Sequence, residues 1–224
     1  FLLHIQGRFL PYLCFEELPA TEVFIRNTSA GRNIGDYLYF LLEKRNGDLC
    51  GCPEGFTISD EYGVETFLPS NGRNDLNFLT RSELITFFKA VSESSRYDYI
   101  ILDLKSDLSD ETVFLINLCG KIILIQSGSL QSRFRIRRLL AYFVKLGYSG
   151  FLDKTILAVN RSCCSEPSDS EEDCSLMISK KIYIEHDEGS FRAAQNHIEI
   201  DINNSFGIGM KKIAAELLAE TSKS

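Results

Sequence analysis

The chain has 224 residues, 44% hydrophobic and 25% charged, with 24 Lys and Arg against 31 Asp and Glu for a formal net charge of −7. An ordinary apolar fraction without a dominant short period excludes collagen-like, coiled-coil and wholly disordered chains, and this length suits one domain or at most two small ones. The acidic balance argues against nucleic-acid binding by the whole surface, and no apolar run reaches the roughly 18 to 20 residues that span a bilayer.

In chain order, Phe1 to Ile5 lacks the basic start and small-residue cleavage pattern of a signal peptide, and Phe1 is read as lying inside a longer natural sequence. Pro11 to Phe15 is the first strand candidate. Gly35 to Lys44 follows as a helix with Tyr37, Leu38, Leu41 and Leu42 on one face, and Val64 to Leu68 as a strand. Thr80-Arg-Ser-Glu83 has the spacing of a capping box and opens a helix through Leu84, Phe87, Phe88 and Val91. Tyr97 to Asp103 is a strand whose Ile-Ile-Leu run ends in a carboxylate. Ser109 caps a helix from Asp110 to Leu118, with two acids in its first turn. Lys121 to Gln126 and Thr155 to Asn160 are further apolar strands. Between them a helix from Ser129 to Leu146 turns Leu139, Leu140, Phe143 and Leu146 inward and stops at Gly147. Lys181 to Ile184 and His197 to Asp201 are the last strands, and Ser205 to Glu220 closes the chain with Met210, Ile213, Leu217 and Leu218 as its buried stripe.

Strands alternating with helices imply an α/β fold, doubly wound, with a mostly parallel sheet flanked by helices, and they direct attention to the carboxyl ends of the strands. The stretch from Ser162 to Ser175 holds five acids and five serines in 14 positions and reads as an acidic flexible loop.

Seven cysteines, an odd number with no CxxC pair, indicate reduced thiols in a cytoplasmic protein. Adjacent Cys163 and Cys164, with Cys174 and His186, do not have the usual spacing of zinc ligands. HExxH, GxSxG, SxxK, GxGxxG and GxxxxGK[ST] are all missing, and Gly120-Lys121 opens a strand, the wrong context for cradling phosphate. His4, His186 and His197 are scattered with no nucleophile near them in sequence.

The remaining signal is an ordered set of strand-end residues. The segment from Tyr97 to Thr112, YDYIILDLKSDLSDET, resembles the central strand and following loop of the MinD/ParA family of deviant Walker ATPases. Lys121 to Gln126, the helix with Leu139 and Leu140, and Ile156 to Arg161 are similar to that family's next strand, helix and "VVNR" strand. Ile182 to Asp187 resembles its "IPED" turn. The likeness runs from about Tyr12 to Glu220. Tyr12 to Phe24, Tyr37-Leu-Tyr39 and Asp75 to Leu79 are most similar to the TadZ/CpaE pilus-assembly branch.

The resemblance implies a single ATPase domain over residues 1–224, with its first strand and P-loop preceding Phe1. It implies ATP and Mg²⁺ as cofactors, a homodimer that forms with ATP, and partners among pilus, secretion or polarity proteins. Cys14 and Glu16 stand where the family has two Asp, so Glu16 is the residue left to orient a water, while a thiol is no hard ligand for magnesium. Asp103 is the counterpart of an Asp near the nucleotide metal. Lys105, Ser106 and Asp107 replace the family's Thr-Pro-Pro-Gly switch turn. Asn160 corresponds to the residue whose amide reads adenine, with Arg161 beside it, and Asp187 lies at the end of the last site turn.

Arg133, Arg135, Arg137 and Arg138 crowd one helix, but the acidic balance favours a protein contact there over non-specific DNA. The last four residues are too short and polar to enter a membrane, so membrane association is expected only through a partner. Two readings stand beside the ATPase: a catalytically inactive scaffold of the same fold, and a receiver-like signalling domain with Asp103 as acceptor, for which the paired acids are missing.

Overall fold

The computed structural model describes residues 10–25, 31–43, 53–60, 62–94, 96–148, 150–162, 177–194 and 197–221. The acidic stretch 163–175, His4, and all the cysteines except Cys14 and Cys119 lie outside them. The chain forms two compact units, Phe1–Thr112 with Ala193–Glu199, and Val113–Arg192 with Ile200–Ser224.

The first unit is built on β1 (Leu10–Cys14), which pairs in parallel with β3 (Val64–Phe67) on one side and β4 (Ile101–Asp103) on the other. A short β2 (Thr57–Ser59) adds antiparallel to β3. Asp60 shapes their turn by accepting the backbone N–H groups of Tyr62 and Val64, each at 2.8 Å, with Gly63 at φ 82°. Helices α1 (Ile34–Glu43) and α2 (Arg81–Glu93) bury Ile34, Tyr37 and Leu38, and Leu84, Phe87 and Val91. Their aromatics meet the sheet: the Tyr37 ring lies 5.0 Å from Phe67 and 5.9 Å from Phe87. The capping box at Thr80 and Glu83 forms as its spacing predicts, and Asn33 and Asp36 make a second reciprocal cap at the start of α1.

The second unit holds a parallel sheet in the order β5 (Ile122–Ser127), β6 (Thr155–Ser162), β7 (Lys180–Glu185). Helix α3 (Asp110–Leu118) precedes β5. Helix α4 (Leu130–Lys145) and the short α5 (Gly150–Asp153) connect β5 to β6. The unit's last helix, α6 (Ser205–Thr221), packs on β7, and the two-stranded ribbon of β8 (Phe191–Ala194) and β9 (His197–Ile200) that precedes it in the chain has Ala193–Glu199 in the first unit. The packing of α6 on β7 needs a small residue, since a Cβ on Gly209 would lie 3.0 Å from Ile184 Cγ1; Gly207, where a Cβ would lie 1.9 Å from the carbonyl oxygen of Ile202, lets the helix start against the loop that precedes it.

Parallel strands with flanking helices match the α/β expectation, with four differences. The Tyr97 strand is confined to Ile101–Asp103, because the Tyr97 hydroxyl donates to Glu65 Oε2 at 2.6 Å and draws the segment's start to that buried carboxylate. Strands β2 and β8 were not expected. Leu146 is 46% exposed, since α4 ends at Lys145 and Gly147, at φ 77°, turns the chain away; Ile136 is buried in its place beside Leu140 and Phe143. In α6, Phe206 and Ile213 are buried most deeply. Among the described residues no helix is long and apolar enough to cross a membrane.

Candidate functional site

The first unit gathers Tyr12, Cys14 and Asp103 on one face at the carboxyl ends of β1 and β4. Tyr12 lies opposite Ile101 and Cys14 opposite Asp103, and side chains two apart on a strand share a face. The Tyr12 hydroxyl donates to Asp103 Oδ2 at 2.5 Å. Burial, reinforced by that bond and by the Asp103 charge, pushes the Tyr12 hydroxyl well above an ordinary tyrosine. Burial also raises the Cys14 thiol, with the neighbouring Asp103 and Glu16 charges adding to it, so Cys14 is a neutral thiol at neutral pH.

Glu16 is exposed in the loop just beyond Cys14, and a residue that sequence reasoning missed holds this loop. Asn74 is 3% exposed. Its Nδ2 donates to the carbonyls of Cys14 at 2.7 Å and Glu16 at 2.9 Å, its Oδ1 accepts from the Leu76 N–H at 3.2 Å, and its own N–H donates to Glu17 at 3.0 Å. Arg73 adds an ion pair to Glu17 at 2.9 Å. A turn-rich Ser-Asn-Gly-Arg-Asn run was the only local signal for this clasp.

The switch-loop candidates divide. Ser106 is exposed and Lys105 half-buried. Asp107 is committed to structure: its Oδ1 accepts from Thr112 Oγ1 at 2.5 Å, Ser109 Oγ at 3.0 Å and the Ser109 N–H at 3.2 Å, closing the turn before α3. Burial acts to raise its pKa, but these bonds and the Lys105 charge outweigh it and the carboxyl is held below its ordinary value. Ser109 caps α3 as expected, accepting the Thr112 N–H at 3.2 Å.

Asn160, Arg161 and Asp187 belong to the second unit. Asn160 lies near the end of β6, opposite Ser127 of β5 and Ile184 of β7, where the β6–β7 register shifts between Asn160 and Ser162. Arg161 follows within β6. Asp187 lies two residues beyond β7 and caps a single 3-10 turn, Glu188–Ser190, by accepting the Gly189 N–H at 3.0 Å. His186 beside it is exposed, and His197 on β9 faces Glu199 at 3.5 Å. The predicted site residues therefore lie at strand ends, Glu16 and Asp103 in one unit and Asn160, Arg161 and Asp187 in the other.

Magnesium at nucleotide sites is held by one or two carboxylates together with phosphates and water. Asp103 offers such a carboxylate with Oδ2 already accepting from Tyr12, and the Cys14 thiol does not qualify. Among the described residues no group of three His, Cys, Asp or Glu could hold a metal. The set fits one water-mediated contact to a metal carried by phosphates and does not fit a metal centre built by the protein alone.

No protein-family model matches the chain, and no curated protein matches it. Solved structures do. A ParA family ATPase from Chlorobium tepidum superposes with a TM-score of 0.59 at 15% identity, covering 92% of this chain and 78% of that one. A chain of the MinC:MinD cell division protein complex of Aquifex aeolicus gives 0.57 at 12% identity over 82% and 71%. A plasmid partition protein from Borrelia burgdorferi bound to AMPPNP gives 0.55 at 11% identity over 96% and 87%. The fold is that of the ParA and MinD ATPases.

Proposed function

We propose that this chain is a ParA/MinD-type ATP-binding domain that works as a switch in pilus or secretion assembly or in polar localisation, as in the TadZ/CpaE branch. ATP with Mg²⁺ favours a face-to-face dimer, and the dimer engages the partner. The likeness of the fold to ParA and MinD ATPases over most of the chain carries this reading. Relatives of that fold include a MinD with Mg-ADP from Pyrococcus horikoshii as well as the AMPPNP complex. In this reading the Asn160 amide meets the base edge with Arg161 and Asp187 near it, Asp103 contacts the metal through water, Lys105 and Ser106 respond to the phosphates, and Glu16 orients the attacking water. Hydrolysis is slow, because Cys14 replaces a carboxylate and Tyr12 occupies one oxygen of Asp103.

A second reading, a scaffold of the same fold without nucleotide chemistry, is favoured by the commitment of Asp103 to Tyr12 and of Asp107 to the α3 cap. Titrating the full-length protein with a fluorescent ATP analogue and Mg²⁺ separates the two. The switch reading expects saturable binding that weakens about five- to tenfold in Asn160→Ala, the worth of one hydrogen bond. No binding leaves the scaffold.

A further inference from the structure

Helix α4 presents to solvent a face that mixes apolar and basic side chains. Ile136, Leu140 and Phe143 are buried. At 100° per residue, the opposite arc carries Leu130, Phe134, Arg138, Tyr142 and Arg135 in angular order. Leu130 is 65% exposed, Phe134 50% and Tyr142 36%, and both arginines are exposed. The helix holds five basic residues and no acid, in a chain whose net charge is −7. Its N-terminus adds the positive end of the helix dipole to the same region.

We propose that this face docks an acidic amphipathic helix of a partner protein. From Leu130 to Tyr142 the stripe runs about 18 Å along the axis while winding about a third of a turn around it, the footprint of a partner helix of three to four turns that crosses α4 at an angle. Phe134 and Tyr142 are apolar anchors of the kind that dominate interface cores; Arg135, at the edge of the arc, selects an Asp or Glu beside the partner's apolar stripe, and Arg138, between the anchors, selects one within it. A lipid surface fits less well, because Arg138 lies between Phe134 and Tyr142 on the arc and would be carried into the hydrocarbon with them. Duplex DNA would engage the arginines and leave the apolar anchors exposed, and a single strand, which stacks on aromatic rings, has no partner for Leu130. The inference is independent of whether nucleotide binds.

The test uses the full chain and a synthetic helical peptide with Leu at i, i+3 and i+7 flanked by Glu, read by fluorescence anisotropy. A scrambled peptide of the same composition, phosphatidylserine vesicles and duplex DNA are run in parallel. The expected result is saturable binding about tenfold tighter than the scrambled peptide, the difference a well-placed apolar anchor makes. Phe134→Ser and the pair Arg135→Glu with Arg138→Glu should each weaken it by a similar factor while circular dichroism stays unchanged. A Lys-for-Glu peptide should recover binding to the charge-reversed pair, and amide exchange should slow across Leu130–Lys145. Equal binding of the scrambled peptide, indifference to Phe134→Ser, or protection of α4 by vesicles or DNA instead of the peptide overturns the proposal.

Discussion

The hydroxyl of Tyr12, on β1, donates to Oδ2 of Asp103, at the end of β4, at 2.5 Å. The bond links two neighbouring strands at the place where the first unit exposes its strand-end carboxylate, so it bears on stability and on the proposed site together. Tyr12→Phe keeps the ring and removes the donor. It should lower unfolding free energy by about 1–2 kcal/mol, the range for a hydrogen bond to a charged group, measured by urea denaturation. The Tyr12 proton is held more tightly in the folded state than in the unfolded one. Its contribution is therefore complete below the ordinary tyrosine value of 10.0 and is lost as pH rises above it. The alkaline decline should flatten in Tyr12→Phe. In the switch reading the same variant binds the Mg²⁺ form of the ATP analogue more tightly, because Asp103 is released.

Glu65 controls the opposite end of the pH scale. It is 1% exposed, bonded by the Arg96 guanidinium, by Tyr97 at 2.6 Å and by Thr57 at 3.0 Å. Burial acts to raise its pKa, but these three bonds and the Arg96 charge together hold it below the ordinary 4.5. A lowered carboxylate stabilises the fold above its unfolded value and loses that contribution as pH falls through the folded one, so acid unfolding should set in below about pH 4.5. Arg96→Ala leaves a buried charge without its cation. It should cost about 2–4 kcal/mol and move the acid transition to higher pH.

Asn74 is the clasp of the loop that carries Glu16. Asn74→Ala removes the donor to the part-buried carbonyls of Cys14 and Glu16, the second of which keeps Asn77 Nδ2 at 3.4 Å, and the acceptor of the Leu76 N–H at once. We expect a loss of about 2–3 kcal/mol in thermal or urea unfolding, and faster proteolytic cleavage within 14–17 than elsewhere in the first unit. Asn74→Asp can keep the bond from Leu76 but cannot donate to Cys14 and Glu16, and should recover little of the loss.

These three relationships mark the limit of what was legible in the sequence. The Thr80–Glu83 cap, the Ser109 cap and the apolar runs of β5 and β6 depend on neighbours a few residues away, and each formed where expected. Tyr12 with Asp103, Asn74 with Cys14 and Arg96 with Glu65 join residues 91, 60 and 31 positions apart. No local pattern encodes such pairs, so Tyr12 and Asn74 were unmarked, while Asp103 was singled out by its strand end and Glu16 by the family resemblance. β2 was missed for the same reason: a run of three residues becomes a strand only because Phe67, Thr66 and Glu65 lie opposite it. Asp107 was expected only as a member of the loop after the strand, and its bond to the Thr112 hydroxyl depends on where that side chain falls one helical turn later.

Asp107→Ala tests that bond. Removing the acceptor that braces the Ser109 cap and the Thr112 hydroxyl should cost about 1 kcal/mol, typical of a lost hydrogen bond, and should speed amide exchange in the first turn of α3. A larger effect on nucleotide binding than on stability would assign Asp107 to the switch instead.

The mass of the full-length protein in solution, by light scattering with and without Mg·ATP, tests the switch most directly. A working switch is a monomer that becomes a dimer with nucleotide, with an Asn160→Ala variant that stays monomeric under the same conditions. An identical mass with and without Mg·ATP in the natural sequence would contradict it and leave a scaffold on a ParA/MinD fold.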